Sequence, residues 1–172
     1  MGSDSPVFTK KRIRLKSQAG LQAELDVYRA QAASKAASGL DAELTAEKHH
    51  RTRVLMKNLA AVDEPRPSPD HVAHHILPGK GGWIQAASLD VRVSLHEHGV
   101  GINDPINGVY LPGKKKDRAH YLTPKALVHK ELHGWNYEHW IVGALPETLR
   151  KSAFLNRLSV IKRQLQDGTP PT

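Results

Sequence analysis

The chain has 172 residues, no cysteine, 39% hydrophobic and 5% aromatic residues, and a formal charge of +8. That length holds one ordinary domain with a small core plus an appendage. The missing cysteine excludes disulfides, thiolate metal sites and cysteine nucleophiles, so any metal falls to nitrogen and oxygen ligands.

The positive balance favours a polyanionic partner, because Lys and Arg neutralise phosphates and release condensed counterions. The N-terminus lacks the apolar core of a signal peptide, and no apolar run approaches the roughly 20 residues that span a bilayer. No membrane association is expected.

In chain order, a basic opening at Lys10, Lys11, Arg12, Arg14 and Lys16 precedes a stretch from Leu21 to Ala61 rich in Ala, Leu, Glu, Lys and Gln, all strong helix formers. Two helices are expected, broken at Gly39, with Asp41 as N-cap of the second and Leu40, Leu44, Leu55 and Leu59 buried. Proline then alternates with polar residues from Asp63 to Asp70, which suits an extended linker. A boundary is placed there, giving a helical N-terminal appendage at 1–65, serving delivery or docking, and a second domain at 66–172. The appendage is expected to supply no member of a catalytic site.

Val72 to Leu77 reads as a short strand, followed by a Gly79-Lys80-Gly81-Gly82 loop whose backbone can approach a phosphate. Ala87, Val91 and Leu95 recur at helical spacing after Ile84; Val91, Val93 and Leu95 also alternate like a strand, and helix is preferred. Gly99 to Pro105 is a turn region, and Asn107 to Pro112 a second short strand entered through Asn-Gly. A basic loop follows at Lys114, Lys115, Lys116 and Arg118. Thr123 and Pro124 then read as an N-cap and first-turn proline, predicting a helix that runs to His133 or just beyond Gly134. A last helix from near Pro146 carries Phe154, Leu158, Ile161 and Leu165 on one face and ends at Gly168, before Pro170 and Pro171.

Nine of the eleven histidines lie between His71 and His139. On the predicted helix, His129 and His133 project from one face and can share one metal ion at about 2.0 to 2.1 Å. On a strand His74 and His75 point to opposite sides. One can therefore be a ligand while the other stays a base, since a free imidazole titrates near pH 6.5, about right for taking a proton from water. His120 is a further candidate ligand, and His96, His98 and His139 add to the choice. Trp83, Trp135 and Trp140 read as core or rim packing, and His49 and His50 as exposed.

Three blocks together resemble the AHH branch of the HNH and endonuclease VII superfamily, the ββα-metal or His-Me finger nucleases. They are Ala73-His74-His75-Ile76-Leu77-Pro78, Asn107-Gly108-Val109-Tyr110-Leu111-Pro112, and His129, His133 and Tyr137 at four-residue spacing. The resemblance runs from about Pro69 to Leu145. It implies an α+β chain with a ββα-metal core and flanking helices, a divalent ion (Mg, Zn, Ni or Mn) on His74, His129 and His133, His75 as general base, and Asn107 bracing the loop between the strands. His120 is kept as a possible ligand or supporting residue. Lys80, Lys114, Lys115, Lys116 and Arg118 become candidate contacts to the nucleic-acid backbone, with DNA preferred and RNA open. The resemblance further implies an antibacterial effector toxin delivered by a dedicated secretion system into a target-cell cytoplasm, and an acidic immunity protein as partner.

Two other functions compete. His129-Lys130-Glu131-Leu132-His133 superficially resembles the zincin metalloprotease motif, but its glutamate is one position late and, on a helix, faces away from the shared metal side. A non-catalytic DNA-binding or adaptor module accounts for the charge and leaves the histidine blocks unexplained.

Overall fold

β1 (His71–His75) and β2 (Gly108–Pro112) form an antiparallel pair in which His75 faces Gly108, His74 faces Val109 and Ala73 faces Tyr110. In this computed structural model residues 17–47 and 52–169 are described. The Lys10 to Lys16 cluster, His49, His50, Pro170 and Pro171 lie outside them. Paired residues share a face of the ribbon, so Ala73, Tyr110 and His75 look one way while His74, Val109 and Leu111 look the other. β2 is buried along its whole length because both faces are covered.

On the first face sits α3 (Thr52–Ala61), whose Leu55 and Leu59 pack fully buried against Ala73 and Tyr110. α1 (Gln18–Ala37) lies across α3 and is joined to it by the Lys57–Glu24 ion pair. Ser17 caps α1 by accepting the Gly20 amide. A short α2 (Asp41–Thr45) follows the turn at Gly39, so three helices stand where two were expected. Leu40 is exposed, and no side-chain description extends to Leu44.

The second face carries the main core. Val109 and Leu111 meet Val91 and Leu95 of α4 (Gln85–Glu97), Tyr137 and Ile141 of α5 (Trp135–Ala144), and Phe154, Leu158, Ile161 and Leu165 of α6 (Lys151–Asp167). The helical reading of 85–97 and the buried stripe of the last helix are borne out. α6 starts at Lys151 rather than Pro146, because Arg150 is still extended and residues 146–149 close a separate turn. It ends where Gly168 takes φ +70° and lets the Thr169 amide return to the Gln164 carbonyl.

The helix expected from Thr123 does not form. Ala126 N–H closes one turn onto Thr123, but Leu127 N–H is drawn to the Leu165 carbonyl of α6 at 2.9 Å and cannot propagate a helix. Val128 is extended, His129–Glu131 make a single 3-10 turn, and α5 begins after Gly134.

The prolines after Asp63 lie in an irregular connection between α3 and β1, with Pro67 at a bend and Pro69 in a turn, rather than in one extended run. The helices before them nevertheless pack on the elements after them. Besides the α3 contacts, Arg29 makes a two-pronged ion pair with Asp104 at 2.7 and 3.1 Å, and Lys162 of α6 reaches Glu64 and the Pro105 carbonyl. No helix among the described residues is long and apolar enough to cross a membrane.

Candidate active site

His74 ends its strand side chain against α5, where its ring meets those of His129 and His133 edge-on at centroid distances of 5.2 and 5.8 Å. The Nε2 atoms of His129 and His133 are 3.1 Å apart. One ligand nitrogen from each of the three residues lies within 4.8 Å of the others. The predicted helix face is absent, yet the three histidines come together: the 3-10 turn carries His129, and His133 follows after Leu132.

Burial and the neighbouring imidazoles hold His74 neutral well below its ordinary range. Burial, reinforced by His133, lowers His129 to about 4. Neutral imidazole is the form that ligates metal. A 3.1 Å separation between two donors also fits the about 2.9 to 3.4 Å expected between adjacent ligands at bonds of about 2.0 to 2.1 Å. The donor set therefore fits a divalent ion.

Tyr137 orients the buried member of the triad. Its hydroxyl donates to the Ile76 carbonyl at 2.9 Å and lies 2.9 Å from His74 Nε2. With the phenol proton committed to Ile76, His74 Nε2–H donates to the phenol oxygen and Nδ1 keeps its lone pair for an ion. Burial pushes the Tyr137 phenol up, so it stays protonated. The sequence marked Tyr137 as part of a motif without showing this role.

His75, on the opposite face of β1, is half-buried, and its Nε2 is 3.0 Å from Asn103 Oδ1. Asn107 is fully buried and accepts the Leu77 amide at 2.8 Å, while its Nδ2 donates to the Ile102 carbonyl at 2.9 Å. It braces the chain after β1 and before β2.

A cleft of about 590 Å³ joins these groups, with His74, His75, His129 and His133 on its walls and Lys80 and Trp83 at the glycine loop. Trp83 and Trp135 are exposed, at 64% and 52%, and Trp140 packs partly buried against the core. The loop is anchored by Glu138 of α5, whose carboxylate accepts the Gly82, Trp83 and Ile84 amides. Burial raises its pKa, but those three donors outweigh burial and hold the carboxyl below its usual value.

The remaining candidates fall outside the triad. His120 packs against His71 at 4.9 Å, and His71 is buried between the Ser68 and Thr123 hydroxyls. His96 is buried beside Arg92 and the Val100 carbonyl, His98 packs on Phe154, and His139 lies against Trp135. Lys115 and Arg118 of the basic loop pair with Glu131 at 3.2 and 3.4 Å. That pairing turns the glutamate of the zincin-like stretch toward the basic loop and ties the loop to the 3-10 turn bearing His129.

Residues 55–166 match the model of a nuclease family of the HNH/ENDO VII superfamily with conserved AHH. The chain belongs to this AHH nuclease family. The match starts inside α3 and ends in α6, and so extends beyond the motif blocks at 69–145 on both sides. No curated protein and no solved structure matches the chain. As an AHH nuclease it is a hydrolase with a nucleic-acid substrate, and its histidine triad is able to hold a metal ion.

Proposed function

We propose that this AHH nuclease is a metal-dependent endonuclease that hydrolyses phosphodiester bonds of DNA, with β1, β2 and the segment from His129 through α5 as its ββα-metal core. One observation carries the reading: adjacent residues on opposite faces of a single strand line one cleft, His74 beside His129 and His133 and His75 beside Asn103. A bound divalent ion would supply charge neutralisation at the phosphate and the departing oxygen. His74, His129 and His133 would hold it.

His75 acts as general base. It takes a proton from water as the water oxygen forms its bond to phosphorus and the bond to the leaving oxygen breaks. Lys80 at the cleft, and Lys114, Lys115, Lys116 and Arg118 on the neighbouring loop, engage the phosphates on either side. Asn107 holds the strand pair in register.

The test is digestion of plasmid DNA and of total RNA by the full chain with Mg²⁺, Mn²⁺, Ni²⁺ or Zn²⁺. Metal-dependent nicking of plasmid that His75→Ala abolishes is the expected result. Cleavage of RNA alone would reverse the substrate assignment, and DNA binding without cleavage under every ion would point to an adaptor module.

We further propose an antibacterial effector role with a dedicated acidic immunity protein, supported by the family resemblance and by the +8 charge that an acidic partner would complement. Expression in a bacterial cytoplasm should damage DNA and arrest growth, and His75→Ala should relieve both. Harmless expression of an active enzyme would overturn it.

A further inference from the structure

The face of the sheet that carries His75 is the face covered by the N-terminal helices, and Asn103, which His75 touches, is held by residues of the segment before the prolines. Asn103 is 1% exposed. Its backbone N–H donates to the Tyr28 hydroxyl of α1 at 3.0 Å, and its carbonyl accepts from Asn58 Nδ2 of α3 at 2.9 Å. Its side-chain Nδ2 donates to Glu47 Oε1 at 2.8 Å. Glu47 in turn accepts from the Tyr28 hydroxyl at 3.1 Å, and its backbone carbonyl is held by Arg92 at 2.7 Å. Gly101 makes room for this, since a Cβ there would collide with the Tyr28 hydroxyl.

These contacts decide which way the Asn103 amide points. Glu47 is an acceptor, so it takes the NH₂ end, and Oδ1 must face His75. An amide oxygen accepts only, so His75 Nε2 carries the proton and Nδ1 is the basic nitrogen. We propose that Asn103 is the positioning residue of the catalytic imidazole, and that Glu47, Tyr28 and Asn58 fix its orientation, so that the segment before the prolines completes the active site. This rests on His75 being the general base. It also replaces the expectation that residues 1–65 contribute nothing to the site.

The experiment uses the full chain loaded with Zn²⁺ and reads two things. Long-range ¹H–¹⁵N spectroscopy of the imidazoles at pH 8 reports which His75 nitrogen is protonated. Steady-state cleavage of an oligonucleotide duplex reports kcat and KM separately. In the wild-type chain the His75 proton should sit on Nε2. Asn103→Ala should leave a mixture of tautomers and lower kcat by about 10- to 100-fold, as loss of an orienting partner does, with KM and calorimetric Zn²⁺ affinity within about 3-fold. Tyr28→Phe and Glu47→Ala should give smaller losses of the same kind. Glu47→Gln, which can still present an oxygen to Asn103, should restore most of the rate. An Nδ1–H tautomer in the wild-type chain, or wild-type kcat in Asn103→Ala, would overturn the positioning role alone. Full activity in His75→Ala would instead overturn the assignment of the base.

Discussion

His129 and His133 bring their Nε2 atoms within 3.1 Å without an α-helix between them. A four-residue spacing meets on one side because a 3-10 turn followed by Leu132 and His133 folds the chain back before Gly134 releases it into α5. Removing any one of His74, His129 or His133 as Ala should therefore lose both metal affinity and cleavage. His75→Ala should lose cleavage while keeping affinity within a few-fold. Calorimetry with Ni²⁺ or Zn²⁺ beside plasmid digestion checks both, and loss of metal by the His75 variant would move it into the ligand set.

Tyr137→Phe keeps the buried ring and removes the oxygen between His74 and Ile76. The buried imidazole then lacks its orienting partner, and metal affinity should fall by about 10- to 100-fold. Burial of the His74 edge without a partner should also cost about 1 to 3 kcal/mol. A metal titration and thermal melts measure the two effects separately.

Glu138 binds three amides of the cleft loop, and its folded pKa lies below the unfolded value of about 4.5. A depressed carboxyl stabilises the fold above the unfolded pKa and loses that contribution as pH falls through the folded value. Glu138→Gln should therefore be less stable than the parent at pH 7, and the gap should narrow below about pH 4. Parallel melts from pH 7 to pH 3 show it; a pH-independent gap would mean that the charge of Glu138 contributes nothing.

Leu55→Ala should cost about 2 to 5 kcal/mol, since Leu55 is fully buried against Ala73 and Tyr110 and cannot collapse without moving the strand that bears both histidines. Deleting residues 1–65 removes Leu55 and Leu59 together and exposes that face of the sheet. The truncated chain should fail to melt cooperatively. A folded truncation with normal metal affinity and weak cleavage would show instead that these helices serve the base alone.

Much of the site was legible because its chemistry is local. Val72 to Leu77 and Asn107 to Pro112 read as short strands, the second entered through a turn dipeptide, and the His129 and His133 spacing brings the two rings together although the helix expected between them is absent. The helix predicted at Thr123 failed because its cap and proline are local signals, whereas the Leu127 amide answers to Leu165 on a distant element. Asn103 and Glu47 were invisible for the same reason. They lie 56 positions apart, in turns whose composition marks them only as polar. The separateness assigned to 1–65 followed from its alanine-rich composition and the prolines after it, while its attachment depends on two leucines and a few charged contacts that no periodicity ranks above their neighbours.

The pairing of β1 with β2 makes the division of labour between His74 and His75 a matter of parity. Strand side chains alternate, so a shift of one residue in β1 would turn every side chain to the other face. Because both residues are histidine, such a slip would still leave one imidazole on each face of the strand, although only one of the two places, beside His129 and His133 or beside Asn103, would keep its imidazole. It would also turn Ala73 away from Leu55 and Leu59 and shift Ile76 and Leu77 from the backbone and side-chain oxygens of Asn107 that receive their amides. A motif whose two halves are chemically identical has to take its sense of direction from neighbours that are not. Asn107 reads that frame by fixing which residue counts as odd.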